Sequence, residues 1–269
     1  MQLPALWLSL QNDYLIPSPD ALPTLFSSGF DDGQHFLLAL LFTLGVYGPL
    51  IGALVASRAD GRMMQWRDWF RPALSGWRVG QMLLISLIIA TIPLLLGAVT
   101  GTVDFANYSL LDGLGIFVPM LLFQLFTSGL EEPGWRGYML PRLQASSTED
   151  WDNGWSMGFW WAVWHYPFVV FLTYPNMANE PLPAIIIGIL ITLLGFTMNI
   201  IGMSLIYVWL FNRSGSVSLA IMFHALNNSL FVLYPSVDAG PLSLVLGLMP
   251  WCIVLALRGI YGKDWLSRA

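Results

Sequence analysis

Charge is scarce in this sequence. Only 10% of its 269 residues are Asp, Glu, Lys or Arg, against 56% that are hydrophobic. A soluble domain carries about 25% charged residues, so a wholly water-solvated fold is excluded and most of the chain is expected to lie in lipid. Cysteine is almost missing. Cys252 alone excludes an intramolecular disulfide and a multi-cysteine zinc site, and its apolar neighbours predict a packed, inert thiol. The 11 basic residues form no patch interleaved with aromatics in a soluble segment, which argues against a nucleic-acid partner. Gly154-Trp155-Ser156-Met157-Gly158 fits Gly-x-Ser-x-Gly, but it opens an apolar run read as a membrane helix and not a strand-to-helix turn, so a serine nucleophile is disfavoured, and His-Glu-x-x-His is absent. Neither an internal repeat nor a matched pair of broken spans is visible, which weakens a transporter reading.

Long apolar runs are what the chain does have. Seven stretches of about 20 residues read as membrane spans: roughly 36–57, 79–100, 114–131, 154–174, 184–210, 216–234 and 241–258. Barrel alternation is lacking, and helices and closed barrels alone satisfy the backbone in lipid. The expected fold is therefore all-α, a polytopic membrane helix bundle with about seven transmembrane helices, or eight if the N-terminal segment inserts. Residues 1–35 contain no Lys or Arg, and Leu3–Leu10 is too short to span. They are expected to form an extracytoplasmic or interfacial lead-in, followed by a single transmembrane domain over 36–269.

Charge distribution supports that layout. Arg58, Arg62, Arg67, Arg71, Arg78, Arg136, Arg142, Arg213, Arg258, Lys263 and Arg268 all fall in segments that strict alternation places on one side. The opposite loops carry Asp104, Asp112, Glu180 and Asp238. The positive-inside rule then places the N-terminus outside and the C-terminus in the cytoplasm of a multi-pass cell-membrane protein. Trp66, Trp69, Trp77, Trp151, Trp155, Tyr174, Trp209 and Tyr234 crowd the expected interfaces and read mostly as belt residues. His35, at the edge of the apolar region, is expected to be solvated.

Chemistry points to Glu131-Glu132-Pro133-Gly134-Trp135-Arg136. An ionised side chain at membrane depth costs roughly 3 kcal/mol or more, so paired acids there are a functional-site hypothesis by default. Glu132 and Arg136 stand at i and i+4 and should pair, while Glu131 turns about 100° away toward the bundle. His165 and His224 come from two later spans, roughly 16 Å and 12 Å in from the same side at the helical rise. If the third span continues helically to about Leu140, Glu131 reaches their level and the three line one cavity. Asn228 follows His224 by one turn on the same face, suited with it to stabilise an oxyanion. Trp161 precedes His165 by one turn and could shield and orient its ring, although plain packing competes with that role. Thr127 and Ser128 lie one turn before the acids, where a bond to the preceding turn's carbonyl is the common fate. The bland alternative is a solvated helix end with Glu and Arg as simple neighbours, which leaves two histidines at matching depth unexplained.

Glu-Glu-x-x-x-Arg (131–136), aromatic-x-x-x-His (Trp161 to His165) and His-x-x-x-Asn (His224 to Asn228) occur in that order. This pattern resembles the CAAX-processing and bacteriocin-processing family of intramembrane glutamic endopeptidases, relatives of the prenyl-protein type II endopeptidase. The resemblance covers about residues 115–235, the expected protease core, with Trp161 where the family usually shows Phe. It implies that Glu131 and His165 activate a water and that His224 and Asn228 form the oxyanion site. Glu132 and Arg136 would support Glu131. It implies no metal or cofactor, and a peptide or prenylated C-terminus in the bilayer as substrate, reached from the cytoplasmic half. Two alternatives stay open. One places zinc on Glu131, His165 and His224, a reasonable catalytic set. The other is a non-catalytic immunity or scaffold protein.

Overall fold

The computed structural model describes residues 12, 14, 24, 25, 28–61, 76–101, 109–147, 149–230 and 247–267. Every regular element among them is helical. Helix α1 (Gly33–Val46) starts where the Asp32 carboxylate accepts the backbone N–H groups of Gln34 and His35, an N-cap that satisfies two orphan donors. Helix α2 (Gly48–Ala59) follows after a 49° bend at Tyr47. Pro49 explains the break of the expected 36–57 span, since it donates no hydrogen bond and its ring crowds the carbonyl four residues back. The Tyr47 hydroxyl braces the bend by donating to the Phe126 carbonyl at 2.5 Å.

Helices α3 (Gly76–Thr100) and α4 (Leu110–Phe126) come next. A 3₁₀ turn (Ser128–Glu131), a π-helix (Pro133–Met139) and α5 (Leu140–Ser146) extend α4. Then follow α6 (Asp150–Thr173), a 3₁₀ turn (Tyr174–Met177), α7 (Leu182–Ser214), α8 (Val217–Leu230) and α9 (Met249–Tyr261). Helices α6 and α7 form the most extensive helix pair. Gly154 and Gly158, one turn apart on α6, make this possible: a Cβ on them would stand 2.6 Å from Leu205 Cδ2 and 2.7 Å from Ile201 Cα. Small residues at this spacing let membrane helices approach backbone to backbone, where dispersion forces take over from the hydrophobic effect. The core then closes around α7, with Leu205, Ile206, Tyr207, Val208 and Trp209 packed among Met157, Trp161, Phe223 and Val254. Beyond α9 the chain folds back, and Leu266 accepts a 2.6 Å hydrogen bond from the Asn212 amide.

Several expectations change here. Among the described residues three stretches are long and apolar enough to cross a membrane: Gly76–Thr100, Gly113–Ser146 and Leu182–Ser214. A fourth arises if bent α1–α2 is one span, so three or four of the expected seven or so spans are found among the described residues. The described parts of α8 and α9 have 14 and 13 residues, about 20 Å each at the helical rise and short of a hydrocarbon core of about 30 Å. Trp209 is no belt residue, because helices on several sides of α7 bury it to 1% exposure. Cys252 is exposed rather than packed, since α9 turns Ile253 and Val254 inward instead. His35 is buried at 2% exposure, because Tyr14 stacks on its ring at 4.8 Å and the Asp31 carboxylate lies 3.0 Å from Nδ1. Expectations for Leu3–Leu10, Trp66, Trp69 and Tyr234 fall outside the described residues.

Gly134 is the tightest point between the π-helix and α2. A Cβ there would lie 2.4 Å from the Pro49 carbonyl oxygen, an immobile backbone atom. Gly134→Ala is expected to destabilise the protein by about 1–3 kcal/mol, the usual cost of overpacking a tight interface. Thermal unfolding in detergent reads this directly, and an unchanged midpoint would refute it.

Candidate active site

Both acids sit where regular α-helix fails. After Phe126 the chain tightens into the 3₁₀ turn, and Thr127 donates its hydroxyl to the Phe123 carbonyl at 2.8 Å, the common fate expected for it. From Pro133 the chain widens into π-helix, and the Leu140 N–H reaches the Trp135 carbonyl five residues back. The expected uninterrupted α-helix to Leu140 is therefore replaced by one tight and one wide turn. Pro133, without an N–H, and Gly134, pressed against Pro49, favour the irregularity. Such π-segments often mark functional sites.

This geometry buries both carboxylates, at 2% exposure for Glu131 and 0% for Glu132, in different surroundings. Glu132 accepts from Arg136 Nη1 on both oxygens at 2.9 Å, as the i, i+4 spacing predicts. Its Oε1 also lies 2.8 Å from His224 Nδ1. Glu131 instead takes the Trp161 indole N–H on Oε2 at 3.1 Å. Arg136, itself 0% exposed, lies against two aromatic rings, its Cζ 4.4 Å from the Trp161 ring and 3.9 Å from the Tyr207 ring. Those π faces attract a guanidinium cut off from water, and Arg136 Nε and Nη2 meet no hydrogen-bond acceptor.

Both imidazoles have their tautomer fixed by a partner that can only accept. His165 Nδ1 lies 2.8 Å from the Trp161 carbonyl, so this nitrogen carries the proton. His224 Nδ1 faces the Glu132 carboxylate and is likewise the N–H. Each ring keeps Nε2 available for other chemistry.

A cavity of about 110 Å³ collects these groups. Glu131, His165, His224 and Asn228 line it together with Gln124 and Ser128, and Phe42, Val46, Phe123 and Phe168 supply apolar wall. Glu132, Arg136 and Trp161 stand behind, outside the lining. Asn228 differs from the simple picture of a donor paired with His224: its Nδ2 donates to Ser128 Oγ at 3.1 Å and Gln124 Oε1 at 3.4 Å. Ser128 also bonds the Gln124 side-chain oxygen. Gln124 is the polar residue that sequence reasoning passed over. Its signal was an amide inside an apolar run, one turn before Ser128, where an unsatisfied polar group is costly. Tyr207 was passed over too, because one aromatic in a long apolar span gives no sign of the cation it will meet. Among the described residues no three His, Cys, Asp or Glu converge as a metal-ligand group.

Fold and chamber together define an all-helical membrane protein that holds paired carboxylates and imidazoles around one internal cavity. Residues 113–230 match the family model described as type II CAAX prenyl endopeptidase Rce1-like. No curated protein matches the chain. The family expected from three short motifs is thus the one found, and all three motifs fall inside the matched segment. At Trp161 the exchange from the family's usual Phe does more than keep an aromatic wall, since it adds a hydrogen-bond donor to Glu131.

Proposed function

We propose that this protein is an intramembrane endopeptidase that hydrolyses a peptide bond of a membrane-bound or lipidated, CAAX-like substrate with water activated by Glu131 and His165. One observation carries the reading: Glu131, His165 and His224 line a single cavity while Trp161 O and Glu132 occupy the Nδ1 side of each imidazole. A water between Glu131 and His165 Nε2 gives up one proton as its oxygen attacks the peptide carbonyl. The C–N bond then breaks, and that proton passes to the leaving amine. His224, protonated against Glu132, would point an Nε2–H at the developing oxyanion, joined by the Asn228 amide. Charge balance supports this role, because two carboxylates share the single guanidinium of Arg136 and a charged His224 brings the cluster to neutrality. The apolar wall from Phe42, Val46, Phe123 and Phe168 suits a greasy substrate segment. By the distribution of basic residues, the chamber serves the cytoplasmic half of the membrane.

The test is cleavage of a quenched, farnesylated C-terminal peptide by purified protein in detergent, beside an unprenylated peptide and with or without a chelator. Cleavage indifferent to chelator and lost in His165→Ala is the expected outcome. Chelator-sensitive cleavage would move the mechanism to zinc. Cleavage that survives His165→Ala would remove His165 from the activation of water.

A further inference from the structure

The chamber leaves one contact without a role in the reaction as written, the indole N–H of Trp161 on Glu131. Trp161 is 3% exposed and does not line the cavity, so it cannot touch substrate. Three of its parts meet three different members of the site. The indole N–H donates to Glu131 Oε2 at 3.1 Å, the ring face lies 4.4 Å from Arg136 Cζ, and the backbone carbonyl accepts His165 Nδ1–H at 2.8 Å. The ring also stands edge-on to Tyr207 and His224, with centroids 5.5 Å away in each case. Two glycines earlier on the same helix, Gly154 and Gly158, lock α6 against α7, so the indole is presented from a rigid element.

We infer that Trp161 is a positioning residue that fixes the Glu131 carboxylate, tying one oxygen to the indole and leaving the other directed at the attacking water. This rests on the hydrolytic reading above. A carboxylate on a flexible Glu side chain otherwise samples several rotamers, and proton transfer needs heavy-atom distances of roughly 2.6–3.2 Å. A charge-assisted N–H to one oxygen removes that freedom at no cost to the second oxygen. Tyr207 completes the arrangement, because its ring lies 3.9 Å from Arg136 Cζ and packs edge-on against Trp161 with centroids 5.5 Å apart.

Trp161→Phe separates these functions. A phenyl ring keeps a π face for Arg136, and the backbone carbonyl still receives His165, while the N–H to Glu131 is lost. On the farnesylated peptide kcat should fall about 10- to 100-fold, the scale of losing an orienting partner, with KM within about twofold of wild type. A residue that merely packs would leave kcat near wild type or move KM and stability together. If the phenylalanine variant does not fold, Trp161→Tyr offers a ring face without the indole N–H and should show the same kcat-only loss. An unchanged kcat in a folded variant overturns the inference. Glu131→Gln, measured in parallel, keeps the two ideas apart. An active Glu131→Gln protein defeats the hydrolytic reading, whereas an inactive one beside a fully active Trp161→Phe protein defeats the positioning role alone.

Discussion

Arg136→Met destabilises the protein by about 3–5 kcal/mol, the range for removing one partner of a buried charge pair. Both side chains of the Glu132–Arg136 pair are 0% exposed, and two bonds of 2.9 Å join them. Methionine fills much of the space between Trp161 and Tyr207 but leaves Glu132 with His224 as its remaining partner, next to a second buried carboxylate at Glu131. Neutralising Glu132 as well should recover part of the loss, so Glu132→Gln with Arg136→Met is expected to be less unstable than the two single effects summed. Thermal unfolding in detergent across this cycle decides it. Strict additivity, or a single variant as stable as wild type, would mean that the pair is not coupled as the geometry requires.

Glu131→Gln should reduce kcat/KM by about 10²–10⁴-fold while leaving the fold intact, the range for losing a general base. Glutamine matches the carboxylate in shape, and its amide oxygen can still accept the Trp161 N–H that Oε2 receives at 3.1 Å. What it cannot do is take a proton from water. Removing a buried charge also lifts a desolvation cost, so the unfolding midpoint should hold or rise. Wild-type turnover in a properly folded Glu131→Gln protein would remove this carboxylate from the chemistry. A fall in both turnover and midpoint would instead assign it a structural role.

The site was largely legible because its residues are expensive where they stand. Two acids, two histidines and an asparagine in apolar runs need partners, and i, i+4 spacing already pairs Glu132 with Arg136 and sets Asn228 on the face of His224. The π-helix was not fully legible, since Pro133 is visible in the sequence but the contact of Gly134 with Pro49, 85 residues earlier in the chain, is not. Gln124, Ser128 and Tyr207 were missed or set aside for a related reason. A lone polar or aromatic residue in an apolar helix reads as lipid-facing or self-bonded until a neighbouring helix supplies its partner. The bend between α1 and α2 was hidden in the same way, because an apolar run gives hydrophobicity and length but no bend.

Composition and hydrophobic runs alone dictate a helical membrane protein, because lipid leaves the backbone few ways to satisfy its hydrogen bonds. Motif order alone points to the family. Partner choice is another matter: only tertiary packing gives His224 to Glu132, Asn228 to Ser128 and Gln124, and the Trp161 N–H to Glu131. These bonds form between segments up to 104 residues apart. Spacing along a helix fixes which side chains share a face, but the facing helix and its rotation determine what that face meets.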